Sequence, residues 1–127
     1  MNNYTTYKIK NNFLVLFLFI VLITTSLSAQ TKMQSGSWSV SPSLEDYSLD
    51  SNNGERSVSI EINFPESFKE KPEIFLSVSQ IDVFNKTNTR FNVEAISISR
   101  DGFTLIVKTW SDSKIFSISG NWIAHSN

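Results

Sequence analysis

Trp110 stands at the rim of a short polar stretch, Ser111 to Lys114, between two runs of alternating side chains. In a β domain such a rim is where an aromatic ring and nearby polar groups can meet a ligand. The catalytic inventory is thin by comparison. The single histidine, His125, falls in a polar C-terminal tail that reads as frayed and solvated, so neither a Ser-His-Asp arrangement nor a histidine metal site has support. The chain has no cysteine, hence no thiol nucleophile and no thiolate metal ligand. Its four glycines, Gly36, Gly54, Gly102 and Gly120, are too dispersed to cradle a phosphate. Glu45, Asp46, Asp50, Glu55, Asp82 and Asp112 could supply a carboxylate pair for glycoside hydrolysis, but no spacing fixes two of them at a catalytic separation. The inventory points to a non-enzymatic chain that uses no metal and no cofactor.

The elements that must position Trp110 are strands. Phe103, Leu105, Val107 and Thr109 share one face of a period-two run, and Phe116, Ile118, Gly120, Trp122 and Ala124 share one face of the next. With the turn between them, Asp101 to Ala124 reads as a hairpin, with Trp122 packed mid-strand. Upstream, Thr31 to Ser41 can form a first strand, and Ser43 to Glu55 reads as a long surface loop around Asn52, Asn53 and Gly54. SVSIEINF then alternates Val58, Ile60, Ile62 and Phe64 against Ser57, Ser59, Glu61 and Asn63. Pro65 and Pro72 bound a polar connection before Ile74, Leu76 and Val78 resume the pattern. A strand from about Asn88 to Ser99 turns Phe91, Val93 and Ala95 inward and Arg90, Asn92 and Glu94 outward, and Arg100-Asp101-Gly102 is a turn. Six strands without a helical period predict an all-β fold, a six-stranded antiparallel β-sandwich. Ile96 and Ile98 share the side of Arg90, and Phe75 opposes Ile74 and Leu76. Some strands are therefore apolar on both faces and need a second sheet or a second subunit to cover them.

The N-terminus has a different character. Lys8 and Lys10 precede an apolar run of eleven residues, Phe13 to Ile23, followed by small and polar residues through Ala29. The run is short of the roughly 20 residues that span a bilayer, so residues 1–29 read as an export signal cleaved after Ala29. That gives a secreted, periplasmic or cell-surface domain over residues 30–127. Without Lys8 and Lys10, nine basic residues face twelve acidic ones, a net charge of −3 that argues against nucleic acid. Lacking cysteine, the domain has neither disulfides nor a lipid anchor of the lipobox kind. Such a small domain gains from self-association.

With the strands placed, a series of landmarks stands in order: SGSW at Ser35 to Trp38, ER at Glu55-Arg56, INFPESF at Ile62 to Phe68, KPEIFLSVSQIDV at Lys71 to Val83, then NTRFNVEA, DGF, KTWSDSKIF and NWIA. Together they resemble the H-type lectin domain of snail agglutinins and discoidins, over nearly the whole span from Ser35 to Ala124. The LSAQ ending of the leader and the bias toward Asn, Lys, Ile and Ser resemble exported proteins of low-GC bacteria. The resemblance implies a six-stranded antiparallel β-sandwich that assembles as a homotrimer. It also implies metal-independent binding of galactose or N-acetylgalactosamine type glycans in clefts near the contacts between protomers. The family's sugar-contacting arginine falls on Arg90 and the tryptophan of its TW pair on Trp110. The next contact is Ser111, where histidine is frequent, and the aromatic after the turn is Phe116 rather than tyrosine, two departures that bear on sugar specificity. The acidic contact falls in the loop after Trp38, with Asp50 the candidate and Asn53 and Glu55 beside it. Such a set suits a sugar: a guanidinium donates to vicinal hydroxyls, a carboxylate accepts from them, and an aromatic ring covers the apolar pyranose face. Asp112 reads as a turn-stabilising side chain. An adhesion or assembly module acting through protein contacts, its sugar site lost, is the alternative; a secreted hydrolase is a third reading.

Overall fold

The computed structural model describes residues 31–126, and every regular element among them is a strand. The export signal expected at residues 1–29 lies outside the described residues. The strands are β1 (Lys32–Val40), β2 (Arg56–Asn63), β3 (Glu73–Val83), β4 (Phe91–Ile96), β5 (Gly102–Thr109) and β6 (Ile115–Ser126). They form two three-stranded antiparallel sheets ordered β1-β6-β3 and β2-β5-β4. This is the six-stranded all-β architecture that the alternation predicts.

The partition of strands corrects one expectation. β5 and β6 do not pair as a hairpin; each is the central strand of its own sheet. The stretch from Trp110 to Lys114 therefore arches across the sandwich. Only β4 and β5, joined through Ser97 to Asp101, are consecutive strands of one sheet. Alternation says which side chains point inward but not which strand lies alongside, and two central strands show the same period.

Irregular backbone corrects three side-chain placements. The β3–β6 register skips Ser79 and Phe116, each the extra residue of a β-bulge. At the first, the inward phase passes from Ile74 and Leu76 to Ile81 and Val83, and Val78 is left exposed. At the second, Ile115 takes the buried position, and Phe116 lies exposed instead of sharing the face of Ile118, Gly120, Trp122 and Ala124. Ser97, at φ 50°, breaks the phase of the segment after β4, so Ile98 packs on the core while Ile96 stays exposed. His125 is a fourth correction. Far from fraying, it lies within β6, stacks on Phe75 with ring centroids 5.6 Å apart, and sets Nε2 3.2 Å from Glu73 Oε2.

The core is built around two reciprocal pairs in the β1–β6 ladder. Gly36 faces Trp122, and Trp38 faces Gly120. Both indoles are buried because each lies over a position with no side chain. A Cβ at Gly36 would lie 2.8 Å from the Trp122 ring; one at Gly120 would lie 2.8 Å from Trp38 Cζ2 and overlap the Ser77 carbonyl oxygen. Trp122 also meets Phe64 at 5.6 Å and Phe103 at 5.9 Å, and Phe64 meets Phe68 edge-on at 5.0 Å, tying the two sheets through one aromatic cluster.

The long loop between β1 and β2 is more than a surface excursion. Leu49 is wholly buried and its carbonyl accepts from Ile115 N at 3.0 Å, so the loop seals one end of the sandwich. Tyr47 in the same loop donates its hydroxyl to the Ile115 carbonyl at 2.7 Å. Burial, and then the charges of Asp50 and Asp82, push its phenol up to about 12.

Two outcomes follow from this packing. Gly120→Ala must displace backbone and should lower unfolding free energy by about 3 kcal/mol or more, whereas Gly36→Ala meets only an indole edge and should cost about 1–2 kcal/mol. Urea denaturation of both variants checks the ranking. The neutral Tyr47 phenol is favoured in the folded protein, so its contribution is complete below pH ~10 and is lost as pH rises through about 12. Alkaline stability curves of the parent should fall more steeply in that window than those of Tyr47→Phe. An ultraviolet difference titration showing Tyr47 ionising at the ordinary tyrosine value would contradict the assignment.

Candidate functional site

All three connections at one end of the sandwich meet: β1 to β2, β3 to β4, and β5 to β6. Trp110 leaves β5 there with 43% of its surface exposed, while Trp38 and Trp122 are each 4% exposed. Ser111 follows at φ 60°, a left-handed backbone that bends the chain sharply after the ring. The indole thus projects from the rim as the position of the polar turn implied.

Arg90 sits immediately before β4, and its backbone is held on both sides by buried hydroxyls. Ser113 Oγ accepts from Arg90 N at 3.0 Å and donates to the Asn88 carbonyl at 2.6 Å; Thr109 Oγ1 donates to the Arg90 carbonyl at 2.6 Å. Ser113 and Thr109 are both fully buried. The guanidinium is partly exposed and donates from Nη1 to Asp112 Oδ1 at 2.8 Å. An exposed pair of this kind contributes at most about 1 kcal/mol to stability, and among the described residues it engages one of the guanidinium's five donors. Asp112 is therefore more than a turn residue: it orients Arg90.

A second arginine lies beneath. Arg56, first residue of β2, is 8% exposed, and no carboxylate lies within ion-pair distance among the described residues. Its partners are main-chain carbonyls. Nη1 donates to Asn52 at 3.0 Å and to Ser111 at 3.2 Å, and Nη2 donates to Ser113. Gly54 N adds a bond to the Ser111 carbonyl at 2.9 Å, and Lys114 Nζ donates to the Asn52 carbonyl. Hydrogen bonds from a charged donor contribute about 1.5–3 kcal/mol each, which offsets the cost of about 1–3 kcal/mol for the buried Nε, which has no acceptor among the described residues.

The remaining sequence candidates are spread around this end. The charge of Asp50 helps to raise the Tyr47 phenol, and Asp50 makes no hydrogen bond or ion pair with Arg90 among the described residues. Glu55 and Asn53 are exposed, and Glu55 bears on Lys108. Phe116 is exposed at the start of β6. Arg90, Asp112 and the stretch carrying Trp110 and Ser111 are thus brought together; no side-chain hydrogen bond or ion pair joins Asp50 to them among the described residues, and Phe116 lies past the turn on β6. Sequence reasoning missed the brace of Arg56 and Ser113. One signal for Arg56 was present, because it continues the inward phase of Val58, Ile60 and Ile62, where a charge is out of place. Among the described residues no group of three or more His, Asp or Glu is placed to hold a metal ion.

Comparison with known proteins follows the same segment. The model of the H-type lectin domain matches residues 59–125. The protein of Fuscovulum blasticum named ATP synthase subunits region ORF 7 is 35% identical over 72 residues, 57% of this chain and 63% of that protein. A discoidin-1 polypeptide of Dictyostelium discoideum is 32% identical over 77 residues, 60% of this chain and 30% of that polypeptide. The chain thus spans less than two thirds of the length of these curated relatives. Recombinant discoidin II of Dictyostelium discoideum superposes with a TM-score of 0.69 at 22% identity, over 77% of this chain and 38% of that one, a likeness of fold. The ordered landmarks, the two three-stranded sheets and a family match that takes in both Arg90 and Trp110 lead to one assignment: this chain belongs to the H-type lectin domain family.

Proposed function

We infer that the chain binds glycans ending in galactose or N-acetylgalactosamine, without a metal and without chemical turnover, at a shallow site formed by Arg90, Trp110 and Ser111. The observation that carries the reading is the pairing of an exposed indole with an arginine whose backbone is locked by buried hydroxyls, inside the segment matched to the lectin family. The ring suits the apolar face of a pyranose, and the guanidinium donors suit vicinal hydroxyls. Two carboxylates are candidates for accepting from the sugar: Asp112, on Arg90, and Asp50, in the β1–β2 loop. Phe116 on β6 can add apolar contact.

Such a site is weak alone, since each neutral hydrogen bond nets about 0.5–1.5 kcal/mol after water is displaced. Strength comes from several sites per assembly, and the assembly we propose is a homotrimer of the exported domain, released by cleavage after Ala29. Its support is the apolar surface one sandwich leaves open. Val78 on β3, Phe84 just after it and Phe91 at the start of β4 are exposed, as are Phe75, Ile96 and Ile123.

Arg90→Ala should lower affinity for methyl α-N-acetylgalactosaminide at least ~10-fold, the loss of a charged hydrogen bond, with the melting curve little changed. Calorimetry checks this, with a chelator control that should change nothing. Asp112→Asn and Asp50→Asn in the same titration separate the two acids. Unchanged binding by Arg90→Ala would reject the site; absence of glycan binding by the parent would leave the protein-contact module as the reading. Light scattering of the exported protein should give the mass of three chains that lack residues 1–29, and a monomer at micromolar concentration would reject the trimer.

A further inference from the structure

We propose that Arg56 is a positioning residue for the sugar site: one buried guanidinium fixes the relative placement of the loops that carry the ligand-contacting groups, so affinity depends on a residue that meets no ligand. The inference rests on the sugar-binding reading above and deepens it.

The bonding pattern is specific to that role. Asn52 belongs to the β1–β2 loop, which also carries Asp50; Ser111 and Ser113 flank Asp112 in the stretch that follows Trp110. Nη1 bridges the first loop to the second by donating to both Asn52 and Ser111, while Nη2 holds Ser113. Ser113 passes the constraint on, because its hydroxyl is the group that binds Arg90 N and the Asn88 carbonyl in the β3–β4 connection. One chain of contacts thus runs from Arg56 through Ser113 to the backbone of Arg90. A fold seeking only burial would place an apolar residue at this inward position of β2, where Val58, Ile60 and Ile62 continue the phase. Instead, among the described residues, a charge is buried with no carboxylate within ion-pair distance and with Nε lacking an acceptor. Local rules broken in this way mark sites held for something other than stability.

Lysine cannot replace this brace. Its single ammonium donates from one point, whereas these three carbonyls are engaged by two nitrogens of a rigid fork. Ser113→Ala removes the next link and changes little volume.

The test uses protein purified from cells expressing the full chain, parent and variants alike. Affinity for methyl α-N-acetylgalactosaminide is measured by calorimetry. Indole Nε1–Hε1 and arginine Nε–Hε resonances are recorded by nitrogen-15 NMR, those of Trp110 and Arg90 being identified by their loss in Trp110→Phe and Arg90→Ala. Arg56→Lys should lose at least 10-fold in affinity and Ser113→Ala several-fold, and the double variant should lose less than the product of the two, since both act through one network. The Trp110 and Arg90 resonances should shift in each variant while the indole resonances of Trp38 and Trp122 stay in place, a pattern that general destabilisation would not give. Parent-like affinity with unshifted Trp110 and Arg90 resonances in Arg56→Lys overturns the proposal. If Arg56→Lys does not fold, Ser113→Ala carries the same two readouts with the same outcomes. If the parent binds no glycan, the sugar-binding reading fails by itself, and the resonances alone decide whether Arg56 positions Arg90 and Trp110.

Discussion

Across the β1–β6 ladder, Trp38 lies over Gly120 and Trp122 over Gly36, so each indole fills the room left by a missing side chain, and the rest of the sandwich takes its spacing from that exchange. β6 also approaches β3 closely at Gly120, beside the bulge that omits Ser79 from the ladder. Trp122 in turn reaches Phe64 and Phe103, which come from the other sheet and its continuation. Without disulfides, the layers are held by packing alone, and this aromatic contact joins the aliphatic core of Val58, Leu105, Val107 and Ile118 in tying them.

The two ends of the sandwich divide the work. One is closed by aromatic packing, where Phe64 and Phe68 seal the core and donate through their amides to the carbonyls of Asp101 and Arg100, beneath a surface on which Lys32 and Gln34 bond to Glu66. The other is polar inside and out: a buried arginine and two buried hydroxyls hold three loops by their main chain, and the groups suited to a ligand stand on those loops. Keeping the brace on carbonyls has a consequence for the site, because it leaves the carboxylates of Asp112 and Asp50 out of the buried network and available at the rim.

The period-two pattern of each strand was legible in the sequence, and so was the all-β class, because alternation is a direct record of which side chains face the core. The position of Trp110 was legible too, since a turn between alternating runs fixes a rim. What alternation does not record is partnership: β5 and β6 read as a hairpin because they are adjacent and alike, yet each is central in a different sheet. Bulges at Ser79 and Phe116 and the left-handed Ser97 shift the phase by single residues, which moved Val78, Phe116 and Ile98 from their expected places. Resemblance to a family supplied Arg90. Its setting was hidden, because the carbonyls that Arg56 engages have no residue type, and the hydroxyl of Ser113 looks like any turn serine until the β3–β4 connection is folded against it. His125 was misread for a related reason: nothing local shows that β6 runs on to Ser126 or that Phe75 and Glu73 lie across the ladder.

Everything at the polar end of the sandwich turns on whether this chain recognises a carbohydrate. A glycan array probed with the purified protein tests it without presuming the ligand. Signal should concentrate on glycans with terminal galactose or N-acetylgalactosamine and be unchanged by a chelator. Absence of signal on every glycan, or signal that follows charge rather than the terminal sugar, would contradict that recognition.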